Sequence, residues 1–113
     1  MADVVYINEA EGTKRVMNNG KLYAKLLTKF KSDTNMSALL TSADSQDWEK
    51  AQNAAHALKG LAANLSLEEL FNKSLDIETQ IKGKSVKSDS IESLKACYAE
   101  TLIQMDKVIA EYA

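Results

Sequence analysis

His56, Lys59 and Gly60 are the residues whose types and spacing could do chemistry together. They stand in the run Ala55-His56-Ala57-Leu58-Lys59-Gly60, and His56 is the only histidine in the 113 residues. On a helix, positions i, i+3 and i+4 share one face. The three would then form one patch: a nucleophile, a positive charge and a place with no side chain. An imidazole is largely neutral near neutral pH, its ordinary pKa being about 6.5. One ring nitrogen can then attack a phosphoryl group and form a phosphoramidate. Lys59 would offset the charge on the phosphoryl oxygens, and Gln52 and Asn53, one turn earlier, would donate hydrogen bonds to them. The patch suits a histidine that accepts a phosphoryl group from a docked partner and passes it on.

Turning the segment by about 100° per residue puts Ala51, Ala54, Leu58, Leu61 and Leu65 opposite His56, with Ala55 and Ala62 at the flank. Glu49, Gln52, Asn53, Lys59, Gly60 and Ala63 fall around it. His56 is therefore expected to face solvent rather than to be a hydrogen-bonded core histidine. An exposed histidine near a lysine is common, and Gly60 is what sets this one apart. A glycine inside a helix costs about 1 kcal/mol relative to alanine, and on a solvent face it gains nothing unless something must approach closely. Ala63, one turn on, is also small. Gln52, Asn53, Gly60 and Ala63 are the candidate docking surface. No metal site is expected, because no second histidine and no cysteine stand at ligand spacing. The segment lacks the glutamate of a His-Glu-x-x-His site, and no Ser-His-Asp arrangement is readable.

The elements that must position this patch are helices. The chain has no proline and four glycines, Gly12, Gly20, Gly60 and Gly83, which favours helix throughout. A short first helix is predicted over about 8–18, ended by Asn19-Gly20. A second starts near Lys21, with Leu22, Tyr23, Leu26, Leu27 and Phe30 as its apolar stripe. It either continues through Asp33-Thr34-Asn35 to Leu40 or breaks there. The histidine helix runs over about 47–65, the next over 67–82, and the last over 90–112, where apolar residues recur every three to four positions from Ile91 to Tyr112. Asn8 with Glu11, Ser66 with Glu69, and Asp89 with Glu92 have the cap-plus-acid spacing of helix starts. The pattern predicts an all-α fold: an antiparallel four-helix bundle with a short N-terminal capping helix, as a single domain over residues 1–113.

The remaining residues have plain roles. Tyr23, Phe30, Phe71 and Tyr98 read as core, Met17, Met36 and Met105 as core filler, and Trp48 as a packing anchor. Cys97 reads as a semi-buried small hydrophobe. Lys82-Gly83-Lys84 and Lys87 form a basic loop, read as a solvated turn. Apolar residues make up 45% and charged residues 27%, the balance of a globular domain. A net charge of -2 gives no basic excess for nucleic acid. No run is long enough to span a membrane, no signal-peptide layout is present, and one cysteine gives no disulfide framework. A cytoplasmic location is expected.

The run Ala55-His56-Ala57-Leu58-Lys59-Gly60-Leu61-Ala62-Ala63-Asn64-Leu65 resembles the signature of histidine-containing phosphotransfer (HPt) domains, a His-x-Leu-Lys-Gly core followed by small residues, Asn and an apolar residue. Leu22-Tyr23, Leu27 and Phe30 resemble the family's second helix, and Asp47-Trp48 its acidic-aromatic step into the histidine helix. Leu70 and Glu78 fit its fourth helix. The resemblance covers about residues 5–112. It departs at Ser66, where many members have glycine, and Ser66 is expected to keep the corner as N-cap of the next helix. It departs also at Leu61, which is larger than usual and is expected to face the core.

The resemblance implies a phosphorelay carrier rather than an enzyme with an ATP-binding kinase domain. His56 would accept a phosphoryl group from a receiver-domain aspartate and give it to another receiver, with Lys59 stabilising its charge. It implies response-regulator receivers and a hybrid sensor histidine kinase as partners, Mg²⁺ on the receiver and no cofactor on this chain, and a monomer that binds neither nucleic acid nor membrane. Part of the docking surface would come from the second helix near Leu22 and Lys25. Sensor-kinase dimerisation helices differ, since their histidine is usually followed by an acidic residue and a nearby proline. The alternative is a non-catalytic helical docking module in which His56 is incidental.

Overall fold

Short polar side chains begin three of the six helices. The computed structural model describes residues 4–112, among which no strand occurs. The helices are α1 (Glu9–Arg15), α2 (Gly20–Phe30), α3 (Asn35–Asp44), α4 (Trp48–Asn64), α5 (Glu68–Lys82) and α6 (Ser88–Glu111). Asn8 Oδ1 accepts the Glu11 amide hydrogen, Asn19 Oδ1 that of Leu22 and Asp47 Oδ1 that of Lys50, each satisfying a donor that the first helical turn leaves free. The second predicted helix breaks at Asp33, whose carboxylate accepts from the Asn35 backbone and side chain, both at 2.9 Å. That local capture offers the backbone an alternative to continuing the helix.

Two predicted starts are corrected. Asp89 lies inside α6, which Lys87 caps with no side-chain bond. Ser66 is not an N-cap either. Its φ of 59° is left-handed, and the Leu67 and Ser66 amides return to the carbonyls of Ala62 and Ala63 at 2.8 and 3.3 Å, the pattern that usually closes a helix through glycine. Its hydroxyl is free to donate to Glu11 Oε1 at 3.1 Å. Met17 and Gln46, with φ of 56° and 60°, end α1 and α3 in the same way. Gly20 has no positive φ and starts α2 rather than ending α1. Gly12 is buried against the Tyr23 ring, which occupies the space a Cβ would need.

α4 packs against α3 and α5, α6 against α5 and α2, and α1 against α2. Leu27, Leu39, Leu58, Leu67, Leu70, Ile77, Leu94 and Met105 are fully buried between them. Phe71, Tyr98, Trp48 and Leu61 are half-buried against this core, so Leu61 faces it only in part. Leu22 is 40% exposed, and Met17, in its left-handed corner, is 92% exposed and not core filler.

The N-terminal segment is tied to the α4–α5 corner. The Asn8 amide donates to the Ser66 carbonyl, and the Glu69 amide to that of Val5. The buried Tyr23 hydroxyl donates to the Leu65 carbonyl at 2.6 Å. Tyr112, near the end of the chain, donates to Glu9 Oε2 at 2.7 Å.

Candidate functional site

α4 turns Ala51, Ala54, Ala55, Leu58 and Ala62 into the core, which leaves His56 on the outer face with 71% of its side chain exposed. α5 brings a carboxylate beneath it. Glu78 is only 5% exposed, with Oε2 3.0 Å from His56 Nδ1 and Oε1 2.6 Å from Lys59 Nζ. One buried carboxylate thus holds both residues that the spacing placed on one face. Lys59 is 22% exposed, so its ammonium is anchored rather than free, with its stem laid along the protein.

Burial pushes the Glu78 carboxyl up, but the hydrogen bonds and positive charges of Lys59 and His56 outweigh it and hold the group below its ordinary range. An ionised carboxylate only accepts hydrogen bonds. The proton shared with His56 therefore sits on Nδ1, a tautomer assigned from this network. Nε2 keeps its lone pair, on an exposed ring whose orientation is fixed from behind.

The other predicted site residues surround this centre without touching it. Asn53 and Gly60 are exposed, and a Cβ placed on Gly60 meets no atom within 4 Å. Gln52 is half-buried and lines a cleft with Trp48, Glu49, Ile81, Lys82 and Lys84. Ala63 lines a separate hollow with Arg15, Phe71 and Asn72. Leu22 and Lys25 are exposed on α2, but their neighbour Tyr23 bonds to Leu65, nine residues and about 13.5 Å along α4 from His56 at 1.5 Å per residue. Periodicity along a single helix gave no sign of Glu78 as a partner of His56, because the contact crosses between helices. The available signals were an acid amid the apolar positions of α5 and the family resemblance at that position.

Among the described residues no group of three or more His, Cys, Asp or Glu side chains could hold a metal ion. No helix is long and apolar enough to cross a membrane. Comparison with the curated proteins and with the solved structures gives no match. The family model of the Hpt domain matches residues 25–106, from within α2 to within α6, and the matched stretch contains His56, Lys59, Gly60 and Glu78. The chain belongs to the Hpt domain family, and its role is a phosphotransfer-related one in two-component signalling.

Proposed function

We propose that this protein is a phosphorelay carrier that takes a phosphoryl group onto His56 from the aspartate of one receiver domain and delivers it to another. The observation that carries the reading is the exposed imidazole whose Nδ1 is held by buried Glu78. The Nε2 lone pair attacks the phosphorus of the aspartyl phosphate. The N–P bond forms as the P–O bond to the aspartate breaks, and the carboxylate leaves with the electron pair. Nδ1 keeps its proton against Glu78 throughout, so no general base is needed. In the second half a carboxylate oxygen of the next receiver attacks phosphorus, the P–N bond breaks, and Nε2 recovers its lone pair as a neutral imidazole. Lys59, 2.6 Å from Glu78, stands beside the transferred group as its positive neighbour. Mg²⁺ on the receiver supplies the remaining charge stabilisation.

In this reading Gln52, Asn53, Gly60 and Ala63 lie under the docked receiver, and a hybrid sensor kinase feeds the relay in the cytosol. α2 with α3, α4, α5 and α6 serve as the four members of an antiparallel bundle, and α1 caps one end. The packing of α4 on α3 and α5, and of α6 on α5 and α2, supports that arrangement.

The test is transfer of radiolabel from receiver domains loaded with labelled acetyl phosphate. The label on this protein is expected to be acid-labile, base-stable and absent in His56→Gln. Labelling of His56→Gln at the wild-type rate would refute the carrier reading.

A further inference from the structure

The end of α5 and the basic loop after it line a cleft with Gln52, one helical turn before His56. Lys82 lies one helical turn beyond Glu78, as Gln52 lies one turn before His56, and both line the same cleft with Lys84 and Trp48. Glu49 is the only acid among its lining residues. Lys82 and Lys84 are exposed. A protein with a net charge of -2 therefore places two positive charges on a cleft whose Gln52 wall lies one helical turn from its exposed nucleophile.

Lys82 closes α5, and the loop that carries Lys84 is braced. The Gly83 and Lys84 amides return to the carbonyls of Gln80 and Ile81 at 2.9 and 2.8 Å, and Lys84 takes a left-handed φ of 57°. The Gln80 side chain accepts the Lys87 amide hydrogen and donates to Ser90 Oγ, each at 2.8 Å, pinning both ends of the loop. The charges are presented by a fixed backbone.

We propose that Lys82 and Lys84 form an electrostatic docking site for the acidic rim of the receiver's phosphorylation pocket. This rests on the carrier reading, which requires a partner that brings an aspartyl phosphate and its neighbouring carboxylates to His56. Gln52 and Lys82 stand four residues, about 6 Å of helix, from His56 and Glu78, a spacing shorter than the Debye length of roughly 10 Å at 0.1 M salt. Positive charge there attracts the partner before contact and holds it in register, while the chemistry stays with His56, Lys59 and Glu78. Charges lining a cleft in this way raise association rates by 10-fold or more at low ionic strength.

The test compares wild type, the double variant Lys82→Gln/Lys84→Gln, and the control Lys14→Gln/Lys107→Gln, which removes equal charge from α1 and α6. Transfer from acetyl-phosphate-loaded receivers is followed at about 0.05 M and about 0.5 M NaCl. The Lys82/Lys84 variant is expected to raise KM for the receiver about three- to ten-fold at low salt, with the saturating rate unchanged and the difference gone at high salt. The control is expected to change less than about two-fold on the same electrostatic scale. Thermal melts followed by circular dichroism should coincide for all three. A Lys82/Lys84 variant that behaves like the control at low salt overturns the docking site and leaves the carrier reading standing. Absence of label on wild type defeats the carrier reading, and the docking site with it.

Discussion

Replacing Gly60 separates the stability of α4 from access to its outer face. An alanine Cβ at this position meets no atom within 4 Å, so the substitution brings no clash. It removes the excess backbone freedom of glycine, for a gain of about 1 kcal/mol. At roughly 2.1 cal/mol/K per residue, the 113 residues give an unfolding entropy of about 0.24 kcal/mol/K, and that gain becomes a rise in Tm of about 4 °C. The assay is calorimetry on wild type and Gly60→Ala, with receiver-to-His56 transfer measured on both and on the bulkier Gly60→Gln. Both variants should be folded, Gly60→Ala should melt higher, and transfer should slow in the order wild type, Ala, Gln as the side chain enters the space a partner would occupy. An unchanged or lowered Tm for Gly60→Ala would refute the claim that the space is empty. Wild-type transfer by Gly60→Gln would refute the claim that a partner uses it.

The same substitution should have the opposite sign at Gly12. A Cβ there overlaps the ring of Tyr23, which is 1% exposed and anchored through its hydroxyl, so Gly12→Ala should lower stability by about 1–3 kcal/mol in urea unfolding. Tyr23→Phe removes a buried 2.6 Å hydrogen bond to the Leu65 carbonyl and should cost about 1–3 kcal/mol in the same measurement. Glu78 sets a pH dependence. Its folded value lies below the ordinary 4.5, so the stability it contributes is present above 4.5 and is lost as pH falls through the lower folded value. Melts taken between neutral pH and the acid range should show Glu78→Gln losing less stability on acidification than wild type; parallel curves would count against an ionised Glu78.

The outward orientation of His56 could be read from the spacing of Ala51, Ala54, Leu58 and Leu65, because burial on one side of a helix fixes what lies on the other. The start at Asn8 could be read because capping is local. The corners at Gln46 and Ser66 could not, because each takes a left-handed conformation without the glycine or asparagine that signals it, and at the first corner Met17 takes it ahead of Asn18. The surroundings, not the residue's own preference, hold them there. The Ser66 hydroxyl bonded to Glu11 shows such surroundings at one corner. Met17 is exposed rather than core for the same reason: a helical wheel has no meaning for a residue that has left the helix. Glu78 escaped the wheel because its partners sit on another helix; an acid amid apolar positions and the family resemblance marked the position without naming its partners.

The bond between Tyr112 and Glu9 joins residues 103 positions apart. With Asn8 bonded to Ser66 and Tyr23 to Leu65, both ends of the described chain meet at the pole where α4 gives way to α5. His56 stands about 13.5 Å up α4 from that pole. The domain is thus close to a closed loop whose entry and exit lie side by side. Attached to something larger through either end or both, it would hang by one pole like a bead on a short tether. The outer face of α4 that carries His56 would then stay clear of either attachment.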